Sequence, residues 1–258
     1  MPARRAPDRA ARRASHRSDR RLRRAASASA ELQIDRALLD KHLGEIDKLR
    51  EVGALESRLG DQRAKALLKA YGAPVTRQGL ATTPSAAVNI ARKVGFPVEV
   101  KPHADELATE PAGCPVERGV TSDARVRQAY AVVLSAVPAA AGAVIVRETP
   151  PAGRELAVSL TRLPALGWTV VLELPGGQIA AAPAPLRLVD AKELAAQVVA
   201  SRAGEPEPDR TGLANLMRRA SHLVVDLDRR LARLELARVV IGGRGARTLV
   251  VDAYAELT

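Results

Sequence analysis

The stretch GLATTPSAAVNIARKVGFPVEVK, running from Gly79 to Lys101, decides the fold. Thr83-Pro84 opens a helix over Ser85 to Val94, since proline is well suited to a first helical position, where its missing N–H costs nothing. Gly95-Phe96-Pro97 ends that helix, and Val98 to Val100 begin a strand that arrives at Lys101. Just upstream, DQRAKALLKAY (Asp61 to Tyr71) is helical and stops at Gly72, with Pro74 beyond it. Downstream, residues 102 to 115 form a loop punctuated by Pro102, Pro111, Gly113 and Pro115.

The same alternation continues to the C-terminus. Val116 to Val120 reads as a strand, Ser122 to Val137 as a helix and Ala143 to Glu148 as a strand. Pro150-Pro151-Ala152-Gly153 is a turn. Arg154 to Arg162 alternates in strand fashion, and Trp168 to Leu174 is another strand, broken by Gly176-Gly177. Asp190 to Ala200 and Thr211 to Arg230 are helical. Val239 to Ile241 and Thr248 to Val251 are strands joined by a glycine-rich turn, Gly242 to Gly245. Helices and strands mixed in this order imply an α/β or α+β domain.

The 258 residues suffice for one large domain or two small ones. Their net charge of +11 is unevenly placed. Residues 1 to 30 hold ten arginines against Asp8 and Asp19, leaving 30 basic and 27 acidic side chains for the rest. The body is therefore close to charge balance. Residues 1 to 30 read as a disordered Arg-rich tail. Three readings of it stay open: a solvated extension, an arm for non-specific contact with nucleic acid or an anionic membrane, and an organelle transit peptide. From Ile34 to about Leu59, apolar residues recur at Leu39, Leu43, Ile46, Leu49, Val52, Leu55 and Leu59, which predicts an amphipathic helix across residues 31–60.

Other classes are disfavoured. Aromatic residues make up only 2%, too few for a stacking platform on single-stranded nucleic acid. Cys114 is the only cysteine, so no intrachain disulfide and no cysteine zinc site can form. That count fits a reducing compartment, and a cytoplasmic location is expected. No run of about 18 apolar residues predicts a membrane span. P-loop, dinucleotide-binding and nucleophile-elbow motifs are missing.

With the elements placed, the order becomes familiar. AKALLKAYGAPV (Ala64 to Val75) and the Gly79–Lys101 stretch resemble the opening of the ATP-grasp domain of NDP-forming acyl-CoA synthetases, relatives of acetate-CoA and succinate-CoA ligases. VIVRETPPAGRELAVSL (Val144 to Leu160) is similar to their strand, hinge and Gly-Gly-x-Glu-Leu segment. LARLELARVVIGGRGARTLVVDA (Leu231 to Ala253) is similar to their closing strand and hairpin. The resemblance spans roughly residues 61 to 254. It implies an α+β, ATP-grasp fold over 61–258, in two halves at about 61–150 and 151–258.

It also implies a site for ATP and magnesium. Lys101 matches a phosphate-contacting lysine, Glu148 the acid of the adenine hinge, and Glu155 the glutamate after the glycine turn. Asp252 matches a magnesium ligand, and Glu235 replaces an aspartate of the closing strand. Several positions depart from the family pattern. Ala237 stands for a metal-binding asparagine and Arg238 for a proline. In Thr109 to Pro115 the relay histidine is absent, Glu110 replaces a lysine, and Cys114 and Pro115 replace glycines. Proline offers no N–H to a phosphate.

The resemblance leaves three functional readings. The leading one is a degenerate ATP-grasp domain, a pseudoenzyme with weak or no ATP binding and a regulatory or scaffolding role. The second is an active subunit of an ADP-forming acid–CoA ligase that needs a separate CoA-binding subunit. The third is a nucleic-acid-associated protein acting through its tail. Removing residues 1–30 separates the last from the others: weak retention on nucleic acid that is unchanged by the deletion, across a salt titration, is the expected result.

Overall fold

The computed structural model describes residues 32–53, 55, 57–103, 116–136, 142–174, 176–200, 207–243 and 246–258. The expected tail and the Thr109–Pro115 segment, with Glu110 and Cys114, lie outside the described residues.

Helix α1 (Arg36–Glu51) begins where the Asp35 carboxylate accepts from the Leu38 N–H at 2.9 Å. The sequence pattern predicts that it continues to about Leu59, but it stops at Glu51. Gly53 takes a left-handed φ of 68°, which ends the helical path. Leu55 is buried in irregular chain and Leu59 lies on a two-residue strand, β1 (Arg58–Leu59). The period-3.6 pattern runs on because all three segments face one core, while Val52 is 74% exposed.

After α2 (Asp61–Ala70) the chain crosses to a four-stranded antiparallel sheet. Its strands are β2 (Gln78–Ala81), β3 (Val98–Pro102), β4 (Glu117–Val120) and β5 (Val144–Glu148), in the order β2-β5-β3-β4. Helices α3 (Pro84–Val94) and α4 (Asp123–Ser135) cover one face. Both are capped from the preceding residue, by Thr83 at 3.1 Å and Ser122 at 3.4 Å. Val98, Val100, Val144 and Val146 pack beneath them with Val88, Ala91, Val126 and Val133. This is the small lobe.

The remaining strands form a six-stranded antiparallel sheet ordered β1-β10-β9-β6-β7-β8. They are β6 (Gly153–Leu163), β7 (Gly167–Glu173), β8 (Ile179–Pro183), β9 (Leu231–Gly242) and β10 (Leu249–Leu257). Helices α5 (Leu188–Val198) and α6 (Arg210–Asp226) join α1 and α2 in one large core on it. Along β6 the buried residues Leu156, Val158 and Leu160 alternate with more open ones, so one face is covered. Helix α2, sequentially ahead of the small lobe, belongs to this large lobe through Ala64, Leu67 and Leu68.

Three strands escape the sequence pattern: β1, β2 and β8, of two, four and five residues. Strand β9 starts eight residues before the expected Val239, and α6 ends at Asp226 rather than Arg230. The cause in β9 is a bulge. Leu156 faces Val239 while Val158 faces Leu236, so β9 holds an extra residue across Ala237-Arg238. A second irregularity, where Glu256 faces Arg233 but Leu257 faces Leu231, sets the buried leucines at Leu231, Leu234 and Leu236, out of strict alternation.

Leu216 is fully buried in α6, whereas Val189 on α5 is half exposed. In urea titrations Leu216→Ala is expected to lose about 2–5 kcal/mol. Val189→Ala should stay within about 0.5 kcal/mol of the parent.

Candidate functional site

Strand alternation builds the site. On β3, Val98 and Val100 face the small-lobe core, so Glu99 and Lys101 face the other way. Strand β5 repeats this: Val144 and Val146 face the core, while Ile145 and Arg147 do not. Register places Glu99 opposite Arg147. The small lobe thus turns a row of charge toward the large lobe. There α2 offers Asp61 and Lys65, one helical turn apart, and β10 offers Asp252.

All six of these side chains are buried. The Lys101 ammonium donates to Asp252 at 2.6 Å and lies 3.5 Å from Asp61. Arg147 donates through Nη1 to Asp252 at 2.5 Å and to the Val251 carbonyl at 2.9 Å, and through Nε to Glu99 at 2.9 Å. Lys65 meets four oxygens: Asp61 at 3.0 Å, Thr76 at 2.9 Å, Gln78 at 2.7 Å and the Val251 carbonyl at 2.5 Å. Asp61 also accepts from the Ala253 N–H at 3.0 Å and from Gln78 at 3.1 Å. Three cations face three anions.

Burial and pairing oppose each other throughout. Burial would raise the Asp252 and Asp61 carboxyls. The cations beside them, Arg147 and Lys101 at Asp252 and Lys65 and Lys101 at Asp61, outweigh it and hold both below their ordinary value of 3.8. Burial also disfavours the charged forms of Lys101 and Arg147, yet their carboxylate neighbours raise both. At Lys65 burial wins: surrounded also by Lys101 and Arg147, it is lowered to about 8.

The structure thus brings Lys101 and Asp252 together, as a direct pair. The other three sequence-chosen acids lie elsewhere. Glu148 closes β5 and accepts from the Arg77 backbone N–H at 2.7 Å and from Arg77 Nε at 2.8 Å. Glu155 on β6 accepts two bonds from Arg238, at 2.6 and 3.0 Å. Glu235 on β9 pairs with Arg233 at 3.0 Å. Asp61, Lys65, Glu99 and Arg147 escape a reading centred on motif positions. Their signal in the sequence is charge inside apolar elements: Glu99, Lys101 and Arg147 each interrupt a valine-rich strand, and Lys65 shares the Ala64–Leu68 face.

Magnesium requires several oxygen ligands with lone pairs to spare. Asp252 already accepts from Lys101 and Arg147, and the residue opposite it in the β9–β10 register is Arg238. Among the described residues, no group of three or more histidine, cysteine, aspartate or glutamate side chains is placed to hold a metal ion. This donor set does not fit a magnesium ion.

The depressed carboxyls carry a pH signature. Their stabilisation is complete above the ordinary value of 3.8 and is lost as pH falls through that value toward their lower folded values. Thermal melts from about pH 6 to about pH 2 should therefore fall steeply at the acid end. Asp252→Asn should flatten that limb. At neutral pH, Asp252→Ala is expected to cost about 3–5 kcal/mol, because Lys101 and Arg147 lose their shared anion.

The family model that matches the chain is the ATP-grasp domain, over residues 52–257. Among curated relatives, 4-hydroxybutyrate–CoA ligase [ADP-forming] of Nitrosopumilus maritimus is 24% identical over 241 residues, which are 87% of this chain and 34% of that protein. The chain therefore spans about a third of that relative's length. The acetate–CoA ligase [ADP-forming] II subunit beta of Pyrococcus furiosus is 24% identical over 209 residues, 75% of this chain and 89% of that subunit. Among solved structures, the dinucleotide forming acetyl-coenzyme A synthetase 1 of Ca. Korarchaeum cryptofilum, in complex with coenzyme A, Ca-AMPCP and HgCl+, superimposes with a TM-score of 0.73. It is 28% identical, and the match covers 83% of this chain and 99% of that one. The chain belongs to the ATP-grasp family, as a homologue of the β subunits of ADP-forming acetate–CoA ligases.

Proposed function

We propose that this chain is a degenerate ATP-grasp module of the NDP-forming acyl-CoA synthetase lineage, with weak or no ATP binding and a regulatory or scaffolding role. One observation carries the reading. The carboxylate at the family's metal position, Asp252, is neutralised from within by Lys101 and Arg147. The lysine that would meet phosphate is itself spent on Asp252, with Asp61 also at 3.5 Å. Arg238 adds a further cation opposite Asp252 and is held by Glu155. In the sequence, Glu110 and Pro115 also stand where the family pattern has a lysine and a glycine.

The second reading is an active ATP-binding subunit that converts acid, CoA and ATP to acyl-CoA, ADP and phosphate with a separate CoA-binding subunit. What favours it is size: the matched segment accounts for 89% of the acetate–CoA ligase II β subunit. The tail that would carry a nucleic-acid role lies outside the described residues.

A ligand that binds only the folded state stabilises it by about 2.7 kcal/mol at one hundred times its Kd. Millimolar Mg-ATP is expected to leave the melting temperature unchanged. An upward shift that disappears in Lys101→Ala, measured against that variant's own ligand-free melt, overturns the degenerate reading. Acid- and CoA-dependent ADP release with a CoA-binding subunit would establish the second.

A further inference from the structure

We propose that the buried charge cluster and the strapped crossing at residues 72–77 form an interlobe latch that holds the two sheets at one fixed separation without nucleotide. The inference goes beyond the degenerate reading and does not rest on it. A latch of this kind sets the resting geometry whether or not a ligand later enters.

Two-lobed folds ordinarily move about the segments that join the lobes, unless the interface is extensive or strongly bound. Here the chain crosses between lobes twice, at residues 72–77 and 149–152. One of them is tied to the large lobe. The first is strapped to the large sheet like an extra strand. The Val250 N–H donates to the Pro74 carbonyl at 2.9 Å, and the Thr76 N–H donates to the Val250 carbonyl at 3.0 Å. Val75 forms a parallel bridge with Val250.

Where β5 runs into the second crossing, Glu148 pairs with Arg77 and extends the β2–β5 ladder within the small lobe. Glu148 donates its N–H to the Arg77 carbonyl at 3.0 Å, and both its carboxylate oxygens accept from Arg77. The Thr149 N–H reaches the Pro97 carbonyl at 3.2 Å. A hinge needs backbone free to change its φ and ψ. At Pro74 and Thr76 of the first crossing those groups are committed to Val250.

The charge cluster completes the fastening, because its bonds run across the lobes in both directions. Lys101 and Arg147 of the small lobe donate to Asp252 and Val251 of the large lobe. Lys65 of the large lobe donates to Thr76 on the first crossing and to Gln78 of the small lobe. Separating the lobes would leave buried ions of both signs without partners. That is the costly way to break a buried pair, and salt screens such pairs only weakly.

The test is a distance measurement by double electron–electron resonance. Spin labels go on Val132→Cys in α4 and Val189→Cys in α5, both exposed and one on each lobe, in a Cys114→Ser background. The expected result is one narrow interlobe distance, unchanged by Mg-ATP or by molar salt. A broad or two-component distribution in this otherwise parental protein overturns the latch, while degeneracy is still judged separately by the thermal shift.

Lys101→Met is expected to broaden the distribution severalfold. Asp252→Asn keeps the side-chain shape but removes the anion shared by Lys101 and Arg147, and should broaden it as well. An unchanged width in Asp252→Asn overturns the proposal even if Lys101→Met fails to fold.

Discussion

A single carboxylate, Asp252, organises the space between the two sheets. It takes a lysine and an arginine from the opposite lobe, at 2.6 and 2.5 Å. Neither cation could be buried without it, since each buried ion costs several kcal/mol in lost hydration before pairing restores it. The dependence runs outward from there. Arg147 holds Glu99, Lys101 sits beside Asp61, and Asp61 holds Lys65. With three charges of each sign the cluster is neutral, so the space between the lobes is lined by ions yet exerts little net pull on a ligand.

On this ATP-grasp scaffold the charges between the lobes are paired with one another. At about 4 Å and an effective dielectric near 20, one pair of charges interacts by about 4 kcal/mol. Two cations already satisfy Asp252 on that scale, and an arriving divalent ion would have to displace both. Arg238 reinforces the arrangement through a local irregularity. The bulge across Ala237-Arg238 lets one residue of β9 stand opposite Asp252 while its guanidinium reaches Glu155 two positions along β6. A bulge that re-aims one side chain is a common device near sites. Here it delivers a cation beside the position of a metal-binding acid.

Much of the fold was legible because its long elements obey simple periods. The α3 helix announced itself through Thr83-Pro84, and β6 through strict alternation over Arg154 to Arg162. The losses have physical causes. Two-, four- and five-residue strands carry too few repeats of a period to register. Register shifts in β9 break the alternation of its buried leucines. In the site, Lys101 and Asp252 were found from their place in a familiar order. Their mutual pairing was not, because residues 151 positions apart meet only once both sheets exist. Lys65 was hidden differently: on a helix surface it would be an ordinary solvated lysine, and only tertiary placement surrounds it with four oxygens.

Arg147 is fully buried on β5, and its partner Asp252 lies on β10, the last strand of the chain. An arginine stays charged at any pH a cell reaches. During synthesis the small lobe can bury its valines under α3 and α4 long before residue 252 exists, but its charged face must stay wet until then. Docking of the lobes therefore waits until residue 252 has left the ribosome. The C-terminal strand, which also bridges β9 to the early β1, then becomes the piece that commits the chain to its final form. A nascent chain stalled before Asp252 would present Glu99, Lys101 and Arg147 to solvent, and would be held apart as two half-finished lobes by its own hydration.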